Sequence, residues 1–308
     1  MLNSFLTVGQ QVLILFMLIA VGYVLGKLKM IDEHSSRSMS NIVLSVVTPC
    51  LSVVSFQRPL EKDSLSNFCL VFLISIGIHV GSILLSRLVI RDKDYDRRAP
   101  LCFSVIFSNS AFMAYPLQTA LLGSIGVFYG SAYVAVFTIL LWTYGVYLMT
   151  GDRSRLKLRP ILLTPNIIGI VAALALYLLQ ISLPPIVLKP MEYISSLSTP
   201  LPMLVIGYQL QRADLRRALR SAGAWLSIAL RLVIVPLLTL GLCLLLGTDS
   251  TVTVSLVVAA SAPAAAMLSM FATRFEKDTE LASSLVSAHT LLSALTMPLI
   301  VGLAQYLA

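Results

Sequence analysis

Residues 99–151 read APLCFSVIFSNSAFMAYPLQTALLGSIGVFYGSAYVAVFTILLWTYGVYLMTG, and from Ala99 to Gly151 there is no Asp, Glu, Lys or Arg. A helix rises ~1.5 Å per residue and the hydrocarbon core of a bilayer is ~30 Å thick, so this run is far too long for one crossing. It must fold back, and Gly123-Ser124-Ile125-Gly126 is the turn signal inside it. The run therefore predicts two membrane spans, the fourth and fifth of the chain.

Outward from it, the same reading repeats. Leu2 to Gly26, Ser38 to Gln57, Ser64 to Ser86, Pro160 to Leu188, Tyr193 to Gln211, Ser250 to Thr273 and Leu281 to Ala308 are also free of Asp, Glu, Lys and Arg. Ser221 to Gly247 adds one more span, interrupted by Arg231. Together they predict ten transmembrane helices. Hydrophobic residues make up 57% of the chain and charged residues 12%, with a mean hydropathy of +0.90, so lipid is the solvent. The alternation of a membrane barrel is absent, and only helices and closed barrels satisfy backbone polar groups in lipid. The fold class is therefore all-α and polytopic. The first run is too long for a cleavable leader, lacks a basic start and has no A-x-A site, and is read as a retained span.

Eighteen of the 22 basic residues fall in alternate gaps. These are Lys27, Lys29 and Arg37; Arg87, Arg91, Lys93, Arg97 and Arg98; Arg153, Arg155, Lys157 and Arg159; Arg212, Arg216, Arg217 and Arg220; and Arg274 and Lys277. The other gaps hold only Arg58, Lys62 and Lys189. The positive-inside rule places the first set in the cytoplasm and both termini outside. Merging spans four and five would abolish the asymmetry. The net charge of +8 is thus a topology signal facing anionic headgroups, with no nucleic-acid partner implied. Cys50, Cys69, Cys102 and Cys243 lie in or beside apolar runs without a C-x-x-C, so neither a disulfide nor a metal is expected, and no cofactor either.

Five spans precede the Arg153–Arg159 loop and five follow it. Two similar halves, 1–152 and 153–308, would then have opposite orientations, the plan of many secondary transporters. Thr48-Pro49 in span two has a counterpart in Thr199-Pro200 of span seven, and Asn109 with Pro116 in span four has one in Ser261 with Pro263 of span nine. Proline removes a donor and clashes with the carbonyl one turn back. Paired prolines predict discontinuous helices meeting at midplane, with half-helix N-termini that attract anions.

Asn109 to Leu117 reads NSAFMAYPL and resembles the fourth-helix signature of the auxin efflux carrier family, which includes plant auxin carriers and bacterial malate and malonate permeases. Ala114 stands where that signature commonly has glycine. Pro263 to Pro298 resembles the family's ninth and tenth helices, and Thr48 to Ser52 (TPCLS) its Pro-x-Leu-Ser segment. The resemblance implies two inverted five-helix repeats with broken, crossing helices four and nine. It implies a scaffold of helices one, two, six and seven, and a transport unit of helices three to five and eight to ten. It also implies dimerisation through scaffold helices and residence in a bacterial inner membrane.

Asn109 is polar, mid-span and seven residues before Pro116, which predicts a shared helix face. Its amide can donate to a carboxylate or only tie helices together. Ser108, Ser110 and Ser261 are lesser candidates, since in-helix serines often bond their own backbone. By resemblance, Ser52 is the scaffold-side polar contact, and Thr138 and Thr143 sit where plant carriers hold polar substrate contacts. His289 and His79 are either titrating groups or hydrogen-bonded helix residues. Arg231 either balances an anionic substrate or snorkels to a headgroup. All 14 Asp and Glu read as loop or helix-end residues, which leaves no carboxylate relay.

The expected function is a secondary carrier of small organic anions (carboxylates or auxin-like acids) working by an elevator motion. Competing expectations are a sodium- or proton-coupled symporter and a transport-dead sensor or scaffold. An enzyme is disfavoured, because no H-E-x-x-H or paired mid-span aspartates occur.

Overall fold

The computed structural model describes residues 2–152 and 163–308. The basic loop Arg153–Arg159, where the second predicted half begins, lies outside them. Every regular element among the described residues is helical, and their one β-type contact is an isolated antiparallel bridge between Ser108 and Ala264.

The helices are α1 (Leu2–Lys27), α2 (Glu33–Phe56), α3 (Lys62–Val89), α4 (Tyr95–Ile106), α5 (110–122) and α6 (Ser124–Thr150). Beyond residue 162 come α7 (Pro165–Leu178), α8 (Pro185–Ser195), α9 (Pro200–Arg212), the short α10 (Leu215–Leu219) and α11 (Ala222–Leu246). The chain closes with α12 (Ser250–Ser261), α13 (Met267–Arg274) and α14 (Thr279–Leu307). Six are long and apolar enough to cross a membrane: α1, α2, α3, α6, α11 and α14. α7 and α12 are shorter apolar helices. Predicted spans four, seven and nine are each delivered in two pieces, as α4 with α5, α8 with α9, and α12 with α13.

Aspartates start the helices. Asp32, Asp94, Asp214, Asp249 and Asp278 each accept a hydrogen bond from a backbone N–H of the first turn that has no partner inside the helix. At Asp32 the hydroxyl and N–H of Ser35 hold the carboxyl below its ordinary range. Glu192 lies in the last turn of α8. α8 already begins at Pro185, so Lys189 and Glu192 pair across one exposed helical turn at 2.7 Å. Gly123 makes the predicted turn between α5 and α6 with φ +66°, a conformation that disfavours any side chain.

Proline acts less as a breaker than the sequence suggested. Pro49, Pro116 and Pro236 each follow a π turn: Val43–Val47, Ser110–Ala114 and Leu230–Ile234. In each, the N–H just before the proline reaches back five residues, as Thr48 does to Val43, Tyr115 to Ser110 and Val235 to Leu230. The extra residue makes room for the ring and relocates the missing bond. α2 consequently runs through Thr48-Pro49 without the expected break. In span seven, the 3-10 turn Ser196–Ser198 separates α8 from Pro200.

Packing grades from rim to centre. In α1 28% of the apolar window is buried, against 78% in α6, so α6 is an inner helix and α1 a peripheral one. Exposed residues such as Leu13, Met17 and Leu245 make an outer surface suited to lipid. α1 packs on α9 through Gly22 and Gly207; a Cβ on Gly207 would stand 2.1 Å from the Ile19 carbonyl oxygen. α7 packs on α2, where Gly169 faces the Pro49 ring.

Candidate functional site

Span four is interrupted at Phe107–Asn109 and span nine at Ala262–Ala266, and the two interruptions pair. The Asn109 N–H donates to the Pro263 carbonyl at 2.7 Å, and the Ala265 N–H donates to the Phe107 carbonyl at 2.9 Å. Irregular backbone in an apolar interior needs partners, and here each break supplies the other's. The break in span four thus falls seven residues before Pro116. Pro116 lies in the regular part of α5, and Asn109 (φ −78°, ψ 54°) precedes the helix, so the two do not share a helix face.

Four helix ends converge on this pair. α5 and α13 begin there and present N–H groups; α4 and α12 end there and present carbonyls. At the α5 start lie two buried polar atoms with no hydrogen-bond partner, Asn109 Nδ2 and Ser110 Oγ, and further along α5 the Tyr115 hydroxyl faces Ser52 Oγ of α2. Asn109 is 5% exposed and Ser52 and Tyr115 0%, so no bulk water compensates them. The Tyr115 and Ser52 side chains thus join α5 to α2.

The remaining predicted residues divide in two. Ser108 is at the pair itself, its Oγ 3.1 Å from the Tyr133 hydroxyl, and the Pro263 carbonyl is an acceptor in it. Ser261 turns its Oγ back onto the Val257 carbonyl at 2.7 Å, the in-helix bond that serines favour. Thr138 and Thr143 also bond back along α6, to Val134 and Ile139, and Thr138 accepts from Asn166 Nδ2 of α7 at 3.2 Å. None of their hydrogen bonds reaches the paired breaks.

His79 and His289 are fully buried, and each Nδ1–H donates to a carbonyl one turn back, Ser75 and Leu285, at 2.8 Å. That bond fixes the tautomer and leaves each Nε2 as an acceptor without a partner. His79 stacks on Tyr133 at 5.0 Å and lies near Phe107 of the break at 6.4 Å.

Arg231 does not snorkel. It sits in the π turn of α11 at 0% exposure. Its Nε donates to the Ala262 carbonyl at 3.2 Å and its Nη1 to Val105 at 3.0 Å and Ile106 at 3.5 Å. Its Nη2 donates to the Ala260 carbonyl. The guanidinium therefore caps the carbonyl ends of both α4 and α12, and no carboxylate among the described residues pairs with it.

Sequence reading missed Tyr115, Tyr133 and Gln118. Gln118, buried on α5, donates through Nε2 to the Ser255 carbonyl of α12 at 2.9 Å, a second tie between the split helices. A glutamine inside an otherwise uncharged apolar run was the available signal. No cluster of His, Cys, Asp and Glu suited to a metal occurs among the described residues.

The family model for membrane transport proteins matches residues 7–161 and 154–301. An uncharacterized transporter of Methanothermobacter thermautotrophicus is 27% identical over 301 residues, covering 94% of this chain and 96% of the relative. A second, from Methanocaldococcus jannaschii, is 25% identical over the same coverage. Since the family model spans nearly the whole chain, the protein belongs to the membrane transport protein family, that of the auxin efflux carriers, and is an integral membrane transporter and not an enzyme.

Proposed function

We propose that this transporter is a secondary carrier for small organic anions, binding them at the paired breaks of spans four and nine. The observation that carries the reading is the pair of buried, unpartnered donors at the start of α5, Asn109 Nδ2 and Ser110 Oγ, with the Tyr115 hydroxyl and Ser52 Oγ facing each other further along that helix. Leaving such atoms unpaired costs ~1–3 kcal/mol each. A carboxylate brings acceptors that repay them, and the positive end of a half-helix adds attraction.

Two halves of opposite orientation, 1–152 and 153–308, organise the carrier. The exchanged packing of α1 on α9 and of α7 on α2 supports that symmetry, as do interruptions at matching places of spans four and nine. The transport unit (α3–α6 with α11–α14) moves past the scaffold (α1, α2, α7, α8 and α9). The Asn166 to Thr138 hydrogen bond joins the two groups of helices at α7 and α6. The basic gaps support a cytoplasmic inner face with both termini outside, in a bacterial inner membrane, and scaffold helices two and seven form the dimer contact.

Uptake of radiolabelled organic acids into proteoliposomes tests the site. Asn109→Ala is expected to lower uptake of the carried acid ~10- to 100-fold, the worth of one hydrogen bond to a charged group. Unchanged uptake by correctly inserted Asn109→Ala protein defeats the assignment.

A further inference from the structure

We infer that Arg231 is the residue that makes the paired breaks select anions. This rests on the anion-carrier reading above. Four helix ends meet there, and by themselves they carry no net preference for either sign. The ends of α5 and α13 each present roughly half a positive charge, and those of α4 and α12 roughly half a negative charge. A bare crossing of this kind would hold a cation at its carbonyls as readily as an anion at its amides.

Arg231 removes that ambiguity. Its three nitrogens bond carbonyls of Val105 and Ile106 at the α4 end and of Ala260 and Ala262 at the α12 end. One guanidinium charge matches the two carbonyl ends, about half a unit each. What stays uncancelled is about one positive charge, shared between the starts of α5 and α13. That is the field a monocarboxylate requires.

The surroundings keep the balance intact. The neighbouring imidazoles of His79 and His289 donate to their own helices and offer lone pairs, and Tyr133, its ring 5.0 Å from that of His79, carries its hydroxyl to Ser108 Oγ. No described carboxylate competes for the guanidinium. Because Arg231 bonds helix-end carbonyls and reaches the break in span four only through Tyr133, whose hydroxyl meets Ser108 Oγ, it is a positioning residue. It sets the sign of the site without itself binding substrate.

The test compares a panel of aliphatic and aromatic monocarboxylates with their primary amides, by equilibrium binding to purified protein. Wild type is expected to favour the acid over the amide, and Arg231→Gln to reduce that preference on the order of 10- to 100-fold. Added guanidinium ion restores the preference in Arg231→Gln. Arg231→Lys, which keeps the charge, retains most of it. Should Arg231→Gln yield no folded protein, Arg231→Lys decides: retention of the preference supports the inference and its complete loss overturns it. An unchanged acid-to-amide ratio in folded Arg231→Gln also overturns it. Binding of no acid by wild type defeats instead the anion-carrier reading beneath it.

Discussion

At the scale of single residues, the proposed site rests on buried polar atoms left without protein partners. Asn109 and Ser110 lie where the α5 backbone also begins with free N–H groups, and Tyr115 faces Ser52 further along that helix. Removing such an atom should harm function more than folding. Tyr115→Phe deletes a buried hydroxyl without opening a cavity and is expected to change stability by no more than ~1–3 kcal/mol, measured by thermal unfolding in detergent. The same variant should take up the carried acid more slowly. A larger loss of stability would mean that the hydroxyl serves the fold. Asn109 and Ser110 were legible in the sequence, as polar residues inside an apolar run. Tyr115 was not, since a tyrosine in a membrane helix is ordinary until its hydroxyl is seen to face Ser52.

At the scale of elements, small residues and proline shape the helices in different ways. Gly22 and Gly207 bring α1 and α9 into backbone contact, so a side chain there must push the two apart. Gly207→Val is expected to destabilise the protein by ~1–3 kcal/mol or more, measured by thermal unfolding in detergent. Gly241→Val, at a position with nothing within 4 Å, is the control and should unfold near the wild-type temperature. The prolines at 49, 116 and 236 widen helices through π turns instead of cutting them, and the true cut in span four falls at Phe107–Asn109. Hydropathy shows where a helix must be. It does not show where a helix stops when the pieces on both sides are equally apolar.

At the scale of the whole molecule, ion pairs at the helix ends tie each group of helices together, and Arg217 of α10, on the connection from α9 to α11, pairs with Asp278 at 2.6 Å and with Glu280 at the start of α14. Arg212 pairs with Glu33 at 2.8 Å within the scaffold, and Lys277 pairs with Asp96 at 2.6 Å within the transport unit. If one group slides past the other, a link between them should stop transport and a link inside one should not. In a cysteine-free background, cross-linking Asn166→Cys to Thr138→Cys is expected to abolish uptake. Cross-linking Glu33→Cys to Arg212→Cys should leave it within about twofold of the uncross-linked protein, a surface change of small energetic weight. Transport that survives the first link would rule out sliding at α6 and α7. In the same background, a cysteine added after Ala308 should react with a membrane-impermeant reagent from outside the cell, and failure to react would reverse the proposed orientation.

The amino-acid sequence by itself determined the solvent, the helical class and the gaps that carry basic charge, because burial in lipid forbids exposed backbone and charge over each span. It also marked Asn109 and Arg231, since an amide or a guanidinium in an apolar run needs a reason to be there. Only the tertiary structure decided that the breaks in spans four and nine satisfy each other, and that Arg231 lies on the carbonyl ends of both. The two breaks lie more than 150 positions apart in the chain, and a backbone hydrogen bond leaves no trace in side-chain identity.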